Sequence, residues 1–352
     1  MKILELDFER GWRGGERQTL LSSLAFRDAG HEVDLLCRDG EALATRAGAE
    51  GLTVHGCQRP LDIVRFLIRH GRNYDILHAQ TGHALTWLAA TRWAHRRPIV
   101  MSRRVAFALH GTFTTWKYRQ ADAVVAISQA CADSVRRLGI ADIHIIPSAV
   151  LPIVPDPERV RDCAAAWRLD GRKVVATTAA LAEDKDPFTL IDAAAELLGR
   201  RDDVVFLHLG HGALLDAARA RVAGLGLQDR YLLPGHQPQV EALFPLFDVF
   251  VMSSREEGLG SSVLDAFQAR VPVASTDAGG LKELLAEGRG LLSPVGDSHA
   301  LATHIDTLLA AGPATAAMVD AACRYVRANH EVGIMAGRYL TLFQTLATSL
   351  HS

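Results

Sequence analysis

Short β-branched or aliphatic runs alternate with longer amphipathic stretches along most of the chain, and this rhythm limits the possible folds more than any other feature. KILELDF is followed by GERQTLLSSLAFRDAG and then HEVDLLCR; YDILHAQ, RPIVMSR, ADAVVAIS and IHIIPSAV come later. Apolar strands separated by a helix's length pair in parallel and need helices on both faces of their sheet. The opening unit shows the pattern well. Leu20, Leu21, Leu24 and Ala25 fall at helical spacing, Gly30 supplies the stop, and a strand follows.

A second alternating series begins with KVVATTAAL and continues through VVFLHLG, RYLLPG, DVFVMSS and VPVAST. Between the two series, residues 151–163 (LPIVPDPERVRDC) hold three prolines within seven positions and no periodic apolar face, which predicts a linker. The tail from about 317 to 350 reads as helix without strand, so it must dock on existing surface. At 352 residues the chain suits two cores better than one. The predicted fold class is α/β with two Rossmann-like domains, over residues 1–155 and 165–325, followed by a helical segment at 326–352.

Hydrophobic residues make up 49% of the chain and the formal net charge is −2, so it can bury cores and lacks the basic excess of a nucleic-acid binder. Nucleic acid is excluded as the expected partner. The total hides an asymmetry: residues 1–150 carry 20 Lys and Arg against 15 Asp and Glu, whereas residues 151–352 carry 18 against 25. Two halves of opposite sign suggest two different ligands. Cys37, Cys57, Cys131, Cys163 and Cys323 are scattered, odd in number and without a CxxC pair, which argues against a disulfide framework or zinc site. MKILELDFERG turns charged at once and no run approaches a membrane span, so a cytoplasmic location is expected, neither secreted nor transmembrane.

The segment with most chemistry is SSREEGLGSSVLDAFQARVPVAST, residues 253–276. Gly258 and Gly260 clear side chains where a ligand would approach backbone N–H groups. A helix starting near Gly260 to Ser262 would offer Leu259, Gly260, Ser261 and Ser262 to a phosphate through orphan donors and a positive dipole end. Asp265, about one turn in, suits a ribose diol, and Glu257 suits the hydroxyls of an attached sugar.

In order, SSREEGLG, VPVASTDAGG and GRGLLSPVGD resemble the E-x7-E region of family 4 glycosyltransferases, retaining enzymes of the GT-B fold. Asp265 stands where that signature usually has its second Glu. The resemblance runs from RGGERQTL at 13–20 through YDILHAQTGHAL at 74–85 to the C-terminal helices. It implies two Rossmann-like domains facing across a cleft, with the first binding the acceptor, the second the nucleotide-sugar, and the final helix crossing back to the first. In ALAEDKDPFTLIDAAAEL, Lys185 falls on the Lys that such enzymes place on the donor diphosphate, whereas Ala180 occupies the usual Arg position. Gly15 falls where the N-terminal loop closes over the donor phosphate. The implied reaction is retaining transfer of a sugar from a nucleoside diphosphate sugar to a hydroxyl of a saccharide or lipid-linked acceptor, in lipopolysaccharide-like cell-surface glycan synthesis. Lys185, Glu257 and His110 are the catalytic candidates, and His110 stands for a histidine that relatives place near the transfer point.

Asp184-Lys185-Asp186 also fits a metal-binding DxD pattern, but a lysine between the acids would repel a cation and Pro187 makes Asp186 a helix-start residue. No cofactor and no metal are expected. HEVDLLCR ends in Arg38 rather than an acid, and no GxGxxG is present, which counts against an NAD enzyme. Arg17, Arg103 and Arg104, expected at strand ends of the basic half, are candidates for an anionic acceptor. Trp12 and the WKYR at 116–119 are candidates for peripheral membrane contact at the inner face of the membrane. Two alternatives remain open: a nucleotide-sugar epimerase or hydrolase on the same scaffold, or a degenerate non-catalytic partner of a transferase, suggested by Ala180, Asp265 and Ser148-Ala149 where the family often has Asn-Gly.

Overall fold

The computed structural model describes residues 1–348 and divides into two compact units, Met1–Ala149 with the C-terminal segment from Asn329, and Val150–Ala328. The last four residues of the tail expected to be helical lie outside the described residues. Among the described residues the strands form two all-parallel sheets of seven and six strands.

In the first unit the strands are β1 (Lys2–Asp7), β2 (Glu32–Arg38), β3 (Thr53–Cys57), β4 (Ile76–Ala79), β5 (Ile99–Arg103), β6 (Ala123–Ala126) and β7 (Ile143–Ile145). Their order is β3-β2-β1-β4-β5-β6-β7. The chain therefore builds outward from β1 in one direction and then returns to build in the other. Helices cover both faces, as the apolar runs require, and Ile3, Leu4 and Leu6 on β1 are fully buried. The helix Gly82–His95 starts where the Thr81 hydroxyl accepts from the Ala84 amide, and Ser128 caps the helix Gln129–Arg136 in the same way.

The C-terminal helix Val332–Thr348 belongs to this unit. Tyr339 and Phe343 pack edge-on against Phe26 of the helix Gly14–Asp28, at centroid distances of 5.8 and 5.4 Å. A buried polar chain ties it to the sheet: Tyr339 Oη and Ser102 Oγ lie 2.7 Å apart, Ser102 Oγ and His78 Nε2 2.7 Å, and His78 Nδ1 and Glu5 Oε1 2.9 Å. Each member of such a chain satisfies its neighbour, so a polar core costs little here.

The second unit holds β8 (Lys173–Thr177), β9 (Val204–His208), β10 (Tyr231–Leu232), β11 (Val249–Met252), β12 (Val273–Thr276) and β13 (Leu291–Ser293), in the order β10-β9-β8-β11-β12-β13. It repeats the same logic of building outward and returning. The expected linker over 151–163 is corrected: Pro157–Ala166 is a helix, with Asp156 accepting from the Arg159 amide and Pro157 at its first turn. Its lack of an apolar face is real, since none of its residues is buried. A cap and an N-terminal proline suffice to start such a surface helix, and only 151–156 of the expected linker are neither helix nor strand. No helix among the described residues is long and apolar enough to cross a membrane.

Candidate functional site

In an open parallel sheet, the ends of two neighbouring strands whose connections leave in opposite directions leave a crevice between their loops. In the second unit that position lies between β8 and β11. The loops leaving these strands, 178–186 and 253–260, carry Lys185 and Glu257.

The two side chains meet, with Lys185 Nζ 2.6 Å from Glu257 Oε2 and 3.4 Å from Asp184. Burial works against the ammonium, but the charge and hydrogen bond of Glu257, with Asp184 behind it, outweigh that and hold Lys185 above its ordinary pKa. It is a fixed positive charge at neutral pH. The turn that carries it is pinned from below: the Ser253 hydroxyl donates to the carbonyls of Lys185 and Asp186, and the Arg255 amide donates to the Asp184 carbonyl at 2.8 Å.

Asp186 is not available to a metal. It takes the left-handed conformation at φ 43°, is buried, accepts from the Thr189 amide and hydroxyl as cap of the helix Pro187–Leu198, and pairs with Arg255 at 2.9 Å. Among the described residues no group of three His, Cys, Asp or Glu side chains is arranged to hold a metal ion.

Glycines bring the second loop in close. Gly260, at φ 93°, caps the helix Ser261–Gln268. A methyl group on Gly280 would sit 2.3 Å from the Gly258 carbonyl oxygen, and one on Gly279 2.2 Å from that of Glu257. The Gly280 amide donates to the Glu257 carbonyl at 2.9 Å. Leu259 is buried, Ser261 exposed and Ser262 half-buried at the start of the helix; Asp265 is buried within it. A further pair, Gly210 and Gly212, lets the loop after β9 press on the carbonyls of Ala179 and Leu181. His208 spans the same gap, 3.1 Å from both the Ala179 carbonyl and the Tyr231 hydroxyl, and burial pushes its pKa down to about 4.

The first unit holds the remaining expected residues. Gly15 lies in the first turn of the helix Gly14–Asp28 rather than in a loop, with open space where a side chain would be. Arg17 is half-buried on the same helix, and His110 is exposed in the segment between β5 and the helix Thr112–Tyr118. Arg103 corrects the expectation of a free strand-end cation. It is buried, donates to the Ser134 hydroxyl and the Phe107 carbonyl, and lies 4.5 Å from the Phe107 ring centroid. It holds the segment after β5 in place. Arg104 is half-buried and donates to the Gln80 side-chain carbonyl, with Ser148 Oγ 3.5 Å away. Beside them Asp7, at the end of β1, accepts from the Thr19 hydroxyl at 2.7 Å, and burial raises its carboxyl to about 6.

Gly279, Gly280, Ser253 and Arg255 were not singled out from the sequence. The doublet in VPVASTDAGG and the arginine in SSREEGLG were visible there, but only the three-dimensional approach of the two loops gives them a task.

Comparison with known proteins agrees with this geometry. A family model described as glycosyltransferase family 4 matches residues 12–151, and one described as glycosyl transferases group 1 matches residues 164–324. The chain is 28% identical over 265 residues to the lipopolysaccharide core biosynthesis mannosyltransferase LpcC of Rhizobium leguminosarum bv. viciae, covering 73% of this chain and 74% of that one. It is 30% identical to the 2-deoxystreptamine glucosyltransferase of Streptomyces kanamyceticus over 54% of this chain and 52% of that one. The crystal structure of HepE from Anabaena in complex with UDP superposes with a TM-score of 0.88 at 21% identity, over 98% of this chain and 100% of that one. The protein belongs to the family 4 glycosyltransferases, has the GT-B fold and is a glycosyltransferase.

Proposed function

We propose that this enzyme transfers a sugar, with retention of anomeric configuration, from a nucleoside diphosphate sugar to a hydroxyl of a saccharide or lipid-linked acceptor in the synthesis of a lipopolysaccharide-like glycan. The observation that carries this reading is the Lys185–Glu257 pair at the reversal point of the second sheet, on loops held together by Ser253 and the glycines at 279 and 280. A cation beside the start of a helix suits a departing diphosphate, and a carboxylate next to it suits sugar hydroxyls.

In this account Lys185 and the amides of residues 258–262 bind the diphosphate and stabilise its charge as the glycosidic bond breaks. Glu257 orients the sugar, and Asp265 serves the ribose. Fixed donors of this kind act where charge develops and need no reorganisation during the reaction. Gly15, at the uncrowded start of its helix, leaves space for phosphate oxygens, and His110 serves the transfer point. No metal is required, since Lys185 supplies the positive charge and Asp186 is committed to its helix cap. Of the expected membrane candidates, Tyr118 is buried and Trp12 packs against the core under Arg46, whereas Trp116 is exposed; it stacks on exposed Phe113 at 5.5 Å, and with exposed Phe107 the pair suits peripheral contact with the membrane that carries a lipid-linked acceptor. The relatives named for lipopolysaccharide core synthesis support that acceptor class.

A thermal-shift panel of UDP, GDP, ADP, CMP and NAD, with and without magnesium, tests the reading. A ligand at 100 times its Kd stabilises the native state by about 2.7 kcal/mol. One nucleoside diphosphate is expected to raise the melting temperature without magnesium, and Asp265→Asn is expected to reduce that shift. A response to NAD alone, or to none of the five, overturns the proposal.

A further inference from the structure

The first sheet has its own reversal point, between β1 and β4, and a pocket of about 170 Å3 opens at the carboxyl ends of these strands. Its walls carry Phe8, just after β1; Arg38, ending β2; Gln58 and Arg59, just after β3; and His83 and Trp87, from the helix that follows β4. Of the six, His83 falls within the YDILHAQTGHAL stretch of the resemblance; Phe8, Arg38, Gln58, Arg59 and Trp87 do not belong to the segments that carry it.

The chemistry of the lining is one-sided. Phe8 and Trp87 provide apolar aromatic surface, whereas the polar members are two guanidinium groups, an amide and an imidazole, with no carboxylate among the lining residues. The nearby acids are already engaged: Asp39 accepts from Gln58 at 3.1 Å, Glu9 lies 2.9 Å from His83, and Asp62 accepts from the Arg59 backbone amide at 3.0 Å. Arg38 is half-buried and anchored by its Nε on the Phe8 carbonyl at 2.6 Å, which fixes its fork while leaving the terminal nitrogens without a partner among the described residues. Arg59 is exposed and likewise forms no ion pair there. Arg92, Arg201 and Arg221, by contrast, each hold a carboxylate within 3 Å. Two unneutralised guanidinium groups beside aromatic surface match an anionic saccharide: the forks take a planar or tetrahedral anion in bidentate fashion, and the rings take the apolar face of a pyranose.

We propose that this pocket is an acceptor subsite selecting a sugar that carries a carboxylate or a phosphate, held by Arg38 and Arg59 against Trp87. The assignment rests on the transferase reading above, and it moves acceptor recognition away from Arg103, whose guanidinium is occupied within the fold.

The test titrates the full-length protein with glucuronic acid, glucose 6-phosphate and methyl glucoside, followed by ligand-observed NMR and calorimetry. Inorganic phosphate serves as a control for a bare anion site, and the nucleoside diphosphate selected by the thermal-shift panel is titrated in parallel. At least one anionic sugar is expected to bind at least 10-fold more tightly than methyl glucoside and than inorganic phosphate, and the carboxylate and phosphate arms show which anion is preferred. Arg59→Gln, an exposed substitution that cannot disturb the core, and Arg38→Gln are each expected to weaken that sugar about 10-fold and to leave nucleoside diphosphate affinity unchanged. Anionic sugars that bind no better than methyl glucoside, bind both variants as well as the wild type, or fail to bind at all overturn the subsite while the nucleotide titration still reports on the donor site. Loss of nucleotide binding by the wild type instead overturns the transferase reading on which the subsite rests.

Discussion

In the proposed donor site, Glu257 and the donor diphosphate would compete for one ammonium group, and this competition gives Glu257→Gln an unusual expected sign. Lys185 Nζ lies 2.6 Å from Glu257, with side chains only 22% and 15% exposed. A hydrogen bond between charged groups so placed contributes about 1.5–3 kcal/mol, against about 1 kcal/mol for a neutral one. Glutamine keeps the volume and can turn its one carbonyl oxygen to Lys185, giving up the Gly258 amide that lies 3.2 Å from Glu257 Oε1. Its neutral oxygen holds Lys185 about 1 kcal/mol less firmly, so the phosphate pays less to displace it. Nucleoside diphosphate affinity is expected to rise about fivefold, since about 1.4 kcal/mol is tenfold. Transfer activity is expected to fall roughly 10- to 150-fold, because the sugar loses a charged acceptor worth about 1.5–3 kcal/mol. Lys185→Met is expected to weaken the diphosphate by a similar 10- to 150-fold and to leave the parent nucleoside unaffected. Calorimetry with nucleoside and nucleoside diphosphate on the two variants and their combination measures the binding terms, and acceptor-dependent turnover measures the loss of transfer. A Glu257→Gln protein that binds the diphosphate as poorly as Lys185→Met refutes the competition and makes the pair a structural unit.

Other expectations follow from the packing. Gly280→Ala forces a methyl group to 2.3 Å from the Gly258 carbonyl and is expected to cost about 1–3 kcal/mol in denaturant unfolding and to weaken donor binding, whereas Gly337→Ala, with open space on its helix, is expected to stabilise by about 0.5–1 kcal/mol. His78→Ala removes the partner of buried Glu5 Oε1, leaving only Gln80 on the other oxygen, and opens a cavity, so it is expected to cost about 2–4 kcal/mol, while Tyr339→Phe, losing one hydrogen bond to Ser102, is expected to cost about 1 kcal/mol; urea melts distinguish them. Asp7, raised by burial to about 6, holds its proton more tightly when folded than unfolded, so its contribution to stability is full at low pH and is lost as pH rises through 6. Between pH 5 and 7.5 the wild type is therefore expected to lose about 1 kcal/mol that Asp7→Asn retains, as read from denaturation midpoints across that range.

Much of the fold was legible because parallel strands buried on both faces leave continuous apolar runs. KILELD, EVDLLCR and VFVM all became strands with nearly every residue buried. The helix at 157–166 was not legible, since it buries nothing and shows no periodic face; its cap at Asp156 and the proline at its first turn were the only local signals. The pairing of Lys185 with Glu257 follows from the order of the strands in the sheet, although each residue stood out in its own motif. Arg103 shows the opposite failure. Its position at a strand end suggested a ligand, yet the chain folds Phe107 and Ser134 onto it, a contact with no sequence period to reveal it. Gly279 and Gly280 were visible as a doublet, but only the approach of a second loop's carbonyl groups explains why side chains are excluded there.

The most direct test of the central claim is to follow purified enzyme by proton NMR with nucleoside diphosphate sugars, in the presence of a metal chelator, with anionic and neutral saccharide acceptors. The expected result is acceptor-dependent release of one nucleoside diphosphate and a product whose new glycosidic bond keeps the donor's anomeric configuration, with Lys185→Met greatly slowed. Inverted product, an absolute requirement for added metal, or sugar released at the same rate without any acceptor contradicts the account.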